Sequence, residues 1–258
     1  MFAEERHQLI TSLVSSHGRV SVTDLAERFD ITTETVRRDL ATLEADGVLR
    51  RVHGGAVSAD RSSTIEANIS ERLERGQEAK QRLARAALKL IPAGAGSIIL
   101  DAGSTTGALA ELLTDRPNAA SLAVITSAVP IAATLAGNNN IALELLGGRV
   151  RGLTRAAVGH STVEALRSLR PDIAFIGTNG IAADFGLSTP DPEEAAVKAA
   201  MVRAAQRVVV LADASKLGTE ALVQFASLDQ IDALITDGTL SPELASALAE
   251  AQVEVVLV

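Results

Sequence analysis

Seven short apolar runs between residue 97 and Val258 constrain the fold more than any other feature of the chain. They are SIILD (97–101), LAVIT (122–126), IALELL (141–146), DIAFIG (172–177), VVVLAD (208–213), DALITD (232–237) and VEVVLV (253–258). A strand with one wet face alternates polar and apolar residues, whereas a strand covered on both faces does not. These runs lack that alternation and are separated by Ala-rich stretches of helical texture, so they predict a parallel sheet with helices on both faces. Two of the intervening helices announce their starts. Asp191-Pro192-Glu193-Glu194 offers an N-cap Asp, Pro at the first helical position and Glu at the third, and Ser241-Pro242 repeats the cap-then-Pro signal.

The first 57 residues read differently. Leu9, Ile10, Leu13 and Val14 form an apolar stripe at helical spacing, with Gly18 ending that helix. Ser21 and Asp24 stand three apart, in the manner of a capping box, and open a short helix that turns Leu25, Ala26 and Phe29 inward. After Asp30-Ile31, Thr32 or Thr33 caps a longer helix whose Val36, Leu40 and Leu43 follow i, i+4, i+7. Gly47 stops it, and VLRRVHGGAV reads as a β-hairpin turning at Gly54-Gly55. Residues 58–75 are polar and weakly patterned, a linker. The expected organisation is therefore a winged helix-turn-helix domain over 1–57, the linker, and an α/β domain over 76–258.

Composition removes several classes of function. The chain has no Cys, so thiolate chemistry and Cys-based metal sites are out, and its four His residues show no metal-ligand spacing. Five Phe without Trp or Tyr are too few for an aromatic platform that stacks single-stranded nucleic acid. No apolar stretch approaches the roughly 18 residues that span a bilayer, and MFAEERHQ lacks the core of an export signal, so a cytoplasmic protein with no membrane partner is expected. The net charge of −8 argues against DNA binding by bulk electrostatics. Any DNA site has to come from local clustering.

Such clustering is present. Thr33, Thr35, Arg37 and Arg38 occupy the first turns of the second long helix, off or beside its apolar stripe, where a helix-turn-helix enters the major groove. Arg there grips guanine or holds a phosphate, and Thr contacts bases or phosphate. The hairpin adds Arg50, Arg51 and His53 beside two glycines that permit close approach of a backbone. An Arg-Arg pair alone is more simply a solvated helix face. The coincidence of helix, turn, wing and basic cluster favours the DNA reading.

In the larger domain the strand ending at Asp101 runs into Ala-Gly-Ser-Thr-Thr-Gly and then a helix. Gly103 suits a tight turn, and backbone N–H groups at a helix start attract anions. Ser104, Thr105 and Thr106 add hydroxyls, although a plain strand–helix turn has the same look. Other strand ends carry Thr126-Ser127, Thr178-Asn179-Gly180 and Asp213 to Lys216, and in open parallel sheets ligands sit at those ends. Glu194 and Lys198 are open to a bland reading, as a helix-start residue and its i+4 partner. Arg149, Arg151 and Arg155 fit a phosphate contact, a solvated loop or an oligomer interface. His160 reads as a helix-start residue.

The stretch ERHQLITSLVSSHGRVSVTDLAERFDITTETVRRDLATLEADGVLRRVHGGAV resembles the N-terminal signature of the DeoR family of bacterial sugar-metabolism repressors, and within it the fructose-operon repressors. DAGSTT, GTNGI, GLSTPDPEEAAVK and VVVLADASK resemble that family's sensor domain, itself similar to ribose-5-phosphate and glucosamine-6-phosphate isomerases. The resemblance implies that Ser104, Thr105, Thr106 and Lys216 hold a phosphate and that Asp101, Thr126, Asn179, Glu194 and Lys198 face the sugar. It implies a homo-oligomer, dimer or tetramer, that binds double-stranded operator DNA and is released by a phosphorylated sugar, with fructose 1-phosphate the best fit and no cofactor. The competing reading is an isomerase fused to a DNA-binding module. Asn179 stands where the glucosamine-6-phosphate enzymes place a catalytic Asp, and an amide takes no proton at neutral pH. Asp101 and Glu194 remain as candidate bases. An RNA-binding regulator lacks the aromatic features it would need.

Overall fold

A computed structural model describes residues 3–258 except residues 18, 47, 53, 59–65, 67, 75, 93–95 and 116–121, and gives only the backbone of residues 15–17, 19, 50 and 58. The chain divides into two compact units, Met1–Ile65 and Glu66–Val258.

The first unit runs α1 (Ala3–His17), β1 (Arg19–Ser21), α2 (Val22–Phe29), α3 (Thr33–Ala45), β2 (Leu49–Val52) and β3 (Gly55–Ser58). Ser21 Oγ accepts the Asp24 N–H at 3.0 Å and Thr32 Oγ1 accepts that of Thr35 at 3.2 Å, so both helices of the helix-turn-helix are capped from the side chains before them. Ile10, Val14, Leu25, Val36, Leu40, Leu43 and Leu49 close the core. Leu9, expected inside, is 45 % exposed. The buried stripe of α1 is Arg6, Ile10 and Val14, at strict i+4 spacing, and Leu9 falls on its flank.

The hairpin gains a third strand that local pattern did not announce: the antiparallel order is β1-β3-β2. Val52 pairs with Gly55, so Gly55 is already in the strand and not in the turn expected at Gly54-Gly55. The two glycines answer different demands. Gly54 has φ +76°, a left-handed conformation, while a Cβ on Gly55 would lie 2.0 Å from the Val20 carbonyl oxygen of β1. Gly18 and Gly47, expected as helix stops, lie outside the described residues.

The second unit contains all seven expected strands, in one wholly parallel sheet. They are β4 (Gly96–Leu100), β5 (Leu122–Thr126), β6 (Ile141–Leu145), β9 (Ile173–Gly177), β12 (Arg207–Leu211), β14 (Ala233–Thr236) and β15 (Glu254–Leu257). Their order is β15-β14-β12-β9-β4-β5-β6. Alternate residues serve the two faces. Ile98, Leu100, Phe175, Val209 and Leu211 pack with α5 (Gln77–Leu88), α6 (Ser104–Thr114) and α7 (Val129–Leu135). Ile99, Ala174, Ile176, Val208 and Val210 pack with α8 (His160–Arg167), α9 (Pro192–Ala204) and α10 (Pro242–Glu250). Both faces are apolar, which is why no polar alternation showed. The N-caps at Asp191 and Ser241 form as expected, and His160 is the first residue of α8.

Short strands were missed: a hairpin of β7 (Arg149–Arg151) and β8 (Ala156–Val158), and an antiparallel trio of β10 (Gly180–Ala182), β11 (Gly186–Thr189) and β13 (Val223–Ala226). The expected linker is corrected too. Residues 69–74 form a helix, α4 (Ile69–Glu74), that belongs to the second unit; Ile69 is buried and its N–H donates to the Leu153 carbonyl at 2.9 Å.

Candidate functional site

In the first unit, Thr33, Arg37 and Arg38 are exposed on the first turns of α3, clear of the buried Val36, Leu40 and Leu43. Among the described residues Arg37 has only a long 3.6 Å ion pair with Glu34, on a solvated surface where such pairs contribute little. Thr35 is half-buried and its hydroxyl pairs with that of Thr32 at 2.9 Å within the helix cap. Arg51 is exposed on the wing, and its backbone N–H donates to Glu44 Oε1 at 2.7 Å, tying β2 to the last turn of α3. His53 lies outside the described residues, and of Arg50 only the backbone is described.

Behind α3 lies an ion pair that sequence patterning overlooked. Asp39 is buried: its Oδ2 accepts from Arg6 Nε at 2.5 Å, and its Oδ1 accepts from Arg6 Nη2 at 2.8 Å and stands 3.0 Å from His7 Nε2. Burial pushes the Asp39 carboxyl up, but the hydrogen bonds and charges of Arg6 and His7 outweigh it and hold the group below its ordinary 3.8. The Arg6 guanidinium is raised by its hydrogen bond to Asp39.

In the second unit, β4 leads to β5 on one side while its other neighbour is β9, so the connections diverge between β4 and β9. That is the switch point where open parallel sheets take ligands. Asp101 follows β4 and Thr178-Asn179 follow β9. Lys198, from α9, donates to Asp101 Oδ2 and to the Gly177 carbonyl at 2.9 Å, and its Nζ lies 5.4 Å from the Phe225 ring centroid. Asp101 Oδ2 also accepts the Gly177 N–H at 3.0 Å. Asp101 and Lys198 are 2 % and 5 % exposed, a buried ion pair at this switch point.

The helix after Asp101 is where donors go unused. Gly103 precedes α6 without a side-chain cap; the chain bends at Ala102 and Gly103, the φ of Gly103 is an extended 179°, and a Cβ there would meet Thr106 Oγ1 at 3.3 Å. Among the described residues, the N–H groups of Ser104, Thr105 and Thr106 have no acceptor, and the Ser104 and Thr105 hydroxyls have no partner. These residues are 4 %, 9 % and 0 % exposed. Buried donors without acceptors at a helix start can hold an anion. Thr106 differs: its hydroxyl proton goes to the Asp101 or Gly103 carbonyl, at 2.7 and 3.0 Å. The Thr126 hydroxyl, fully buried, donates to the Leu100 carbonyl at 2.6 Å and accepts the Ala128 N–H. Both are spent on holding the strand ends.

Asn179 Oδ1 accepts from Thr189 at 3.1 Å, and Thr219 bridges the Asn179 carbonyl and that of Lys216. The half-buried Lys216 ends a short 3-10 helix, Ala214–Lys216, that Thr219 ties to Asn179. Glu194 and Lys198, an i,i+4 pair in sequence, do not pair with each other. Glu194 accepts from Arg151 at 3.0 Å and from the Thr154 hydroxyl. Arg151 also contacts Glu66 at 2.5 Å and Asp191 at 3.0 Å. Burial lowers its guanidinium, yet the hydrogen bond to Glu66 and the charges of Glu66, Glu194 and Asp191 leave it raised. Glu66 was not expected at the site, since a buried acid in a polar segment leaves no local signal; Arg151, left open between a phosphate contact, a solvated loop and an oligomer interface, is engaged by three acids of its own chain. A cavity of about 430 Å³ lies between α9 and β13, lined by Ala195, Ala199, Arg203, Val223 and Phe225 among others, with none of the expected ligand residues.

Residues 75–238 match the family model of the DeoR C terminal sensor domain, and residues 6–62 that of the DeoR-like helix-turn-helix domain. The HTH-type transcriptional regulator GlpR of Haloferax volcanii is 36 % identical over 256 residues, covering 99 % of this chain and 98 % of that one. The uncharacterized regulator FruR of Bacillus subtilis is 34 % identical, covering 92 % of each. The glycerol-3-phosphate regulon repressor of Escherichia coli is 32 % identical, covering 90 % of each. Among solved structures, ribose 5-phosphate isomerase A of Methanocaldococcus jannaschii is 21 % identical at a TM-score of 0.41, over 55 % of this chain and 54 % of that one.

Proposed function

Because the chain belongs to the DeoR family of transcriptional regulators, we propose that it represses a sugar-metabolism operon and leaves its operator when a phosphorylated sugar occupies the second unit. The observation that carries the effector's chemistry is the start of α6: three buried N–H groups without acceptors and two buried hydroxyls without partners among the described residues, at the switch point of the sheet. A dianionic phosphate satisfies that set and gains from the helix dipole. Ser104 and Thr105 hold it, Lys216 approaches on the Asn179 side, and the sugar lies over Asn179 and the Asp101–Lys198 pair. Fructose 1-phosphate is the effector that best fits the resemblance, and a relative named for glycerol-3-phosphate is in keeping with a phosphorylated ligand.

On the DNA side, Thr33, Arg37 and Arg38 read the major groove, with Thr35 fixing the start of α3, and Arg50, Arg51 and His53 hold phosphates through the wing. A homo-oligomer, dimer or tetramer, in the cytoplasm presents paired reading heads to two half-sites. The effector releases DNA only to the extent that it binds the non-DNA-binding arrangement more tightly. Sensing rather than turnover is supported by the bound state of the possible bases: Asp101 is held by Lys198, Glu194 by Arg151 and Thr154, and Asn179 is an amide. The test starts by selecting operator duplexes from a random pool, then follows their release in fluorescence anisotropy across a panel of sugar phosphates, with product analysis of the same mixtures. Release by a phosphorylated sugar, but not by its free sugar, with no isomer formed, is the expected result. Release by free sugars alone, or steady turnover, overturns the proposal.

A further inference from the structure

Taking the start of α6 to be the effector's phosphate site, as proposed above, we propose that Arg72 is a ligand of that phosphate, contributed by the segment that follows the reading head. A Cβ on Gly103 would lie 3.9 Å from Arg72 Nη2, so the guanidinium hangs over the loop that opens α6. Nη1 is engaged with Glu66 Oε1 at 3.3 Å, and Nη2 has no hydrogen-bond partner among the described residues.

The surroundings hold this arm in place. The backbone carbonyl of Arg72 accepts from the buried ammonium of Lys80 on α5, and the Arg72 N–H donates to the Asn68 carbonyl at 3.0 Å. Asn68 caps α4 by accepting the Glu71 N–H at 2.9 Å. Glu66, whose side chain is 1 % exposed, joins Arg72 to Arg151. The site then has neutral donors from α6 and one charged, forked donor from α4. A planar guanidinium grips two phosphate oxygens at once, which a point-like ammonium does not. A bound phosphate competes with Glu66 for Arg72. Because β3 ends at Ser58 and α4 begins at Ile69, the helix that feels this competition is, among the described residues, the first one after the reading head in chain order.

The experiment is calorimetric titration of the full-length protein at 25 °C with inorganic phosphate, fructose 1-phosphate and fructose. A charged hydrogen-bond pair supplies about 1.5–3 kcal/mol, which corresponds to roughly 10- to 150-fold in affinity. Arg72→Ala is expected to weaken both phosphates by that factor and leave fructose unchanged, with Arg72→Lys in between. Glu66→Gln removes the competing carboxylate and is expected to tighten both phosphates severalfold. This variant separates a ligand from a merely structural arginine, and it keeps the proposal testable if Arg72→Ala fails to fold. Wild-type binding of the phosphates that Arg72→Ala leaves untouched overturns the role of Arg72 while the phosphate site stands. Phosphate affinity that falls in Glu66→Gln overturns it as well. A wild-type protein that binds neither phosphate brings down the phosphate site and Arg72's role together.

Discussion

Replacing Asp39 by Asn keeps the shape of the side chain and removes its charge, leaving the Arg6 guanidinium buried against a neutral amide. Arg6 and Asp39 side chains are 10 % and 8 % exposed, and three hydrogen bonds converge on the carboxylate. Removing one partner of a buried pair costs about 3–5 kcal/mol, because the other charge is stranded. A unit the size of Met1–Ile65 has only roughly 3–10 kcal/mol of stability to lose, at about 0.05–0.15 kcal/mol per residue. Even the lower loss moves its unfolding midpoint down by roughly 12–24 °C. Hydrogen exchange of the α1 and α3 amides reads this unit separately from the larger one.

The same pair sets a pH dependence. Asp39 takes up its proton less readily in the folded unit than in the unfolded chain, so acid favours unfolding. Its contribution is complete above the ordinary value near 3.8 and is lost as pH falls through the depressed folded value. Asp39→Asn should flatten that acid-side loss, and Arg6→Met with Asp39→Leu should recover most of the stability by removing both charges. Unchanged exchange in Asp39→Asn at pH 7, or a double variant no better than the single one, refutes the view that the pair clamps α1 to α3.

Arg38→Ala and Arg37→Ala should each weaken operator binding by about 1–3 kcal/mol in anisotropy titrations without moving the melting midpoint, since both side chains are exposed; full affinity in the double variant would remove α3 from the reading role. Arg51→Ala should weaken all duplexes alike and lower the slope of log affinity against log salt by about one unit, whereas loss confined to the operator would put Arg51 on a base edge. Thr105→Val should leave operator affinity intact and shift the sugar-phosphate concentration needed for release upward about tenfold, the size of one lost hydrogen bond to a charged group; an unchanged release curve would place the phosphate elsewhere. Gly55→Ala should destabilise the reading head, because its Cβ would sit 2.0 Å from the Val20 oxygen, while Gly54→Ala is strained only by its φ; equal melting of Gly55→Ala and wild type would contradict the close approach of β1.

Local pattern was enough to identify the seven strands of the parallel sheet, the capped helices at Ser21, Asp191 and Ser241, and the exposed basic turn of α3, because each of these is written in residues within a few positions of one another. The missed strands are three or four residues long, and pairing from distant segments holds them: β1 on β3, β11 on β13. Their own residues carry no period long enough to read. The site followed the same division. That Asp101, Ser104, Thr105 and Asn179 gather at one end of the sheet follows from strand ends alone. Which hydroxyls are spent and which are free was decided by carbonyls across strands, as with Thr126 on Leu100. Ion pairs were the least legible, since charge partners are chosen in space. Glu194 and Lys198 suit each other in sequence, yet Lys198 turns to Asp101, 97 positions away, and Glu194 to Arg151. Arg6 sits on the apolar stripe of α1 only because Asp39 meets it there. Burying a charge is tolerable only where its partner is already in place, and only the tertiary fold puts it there.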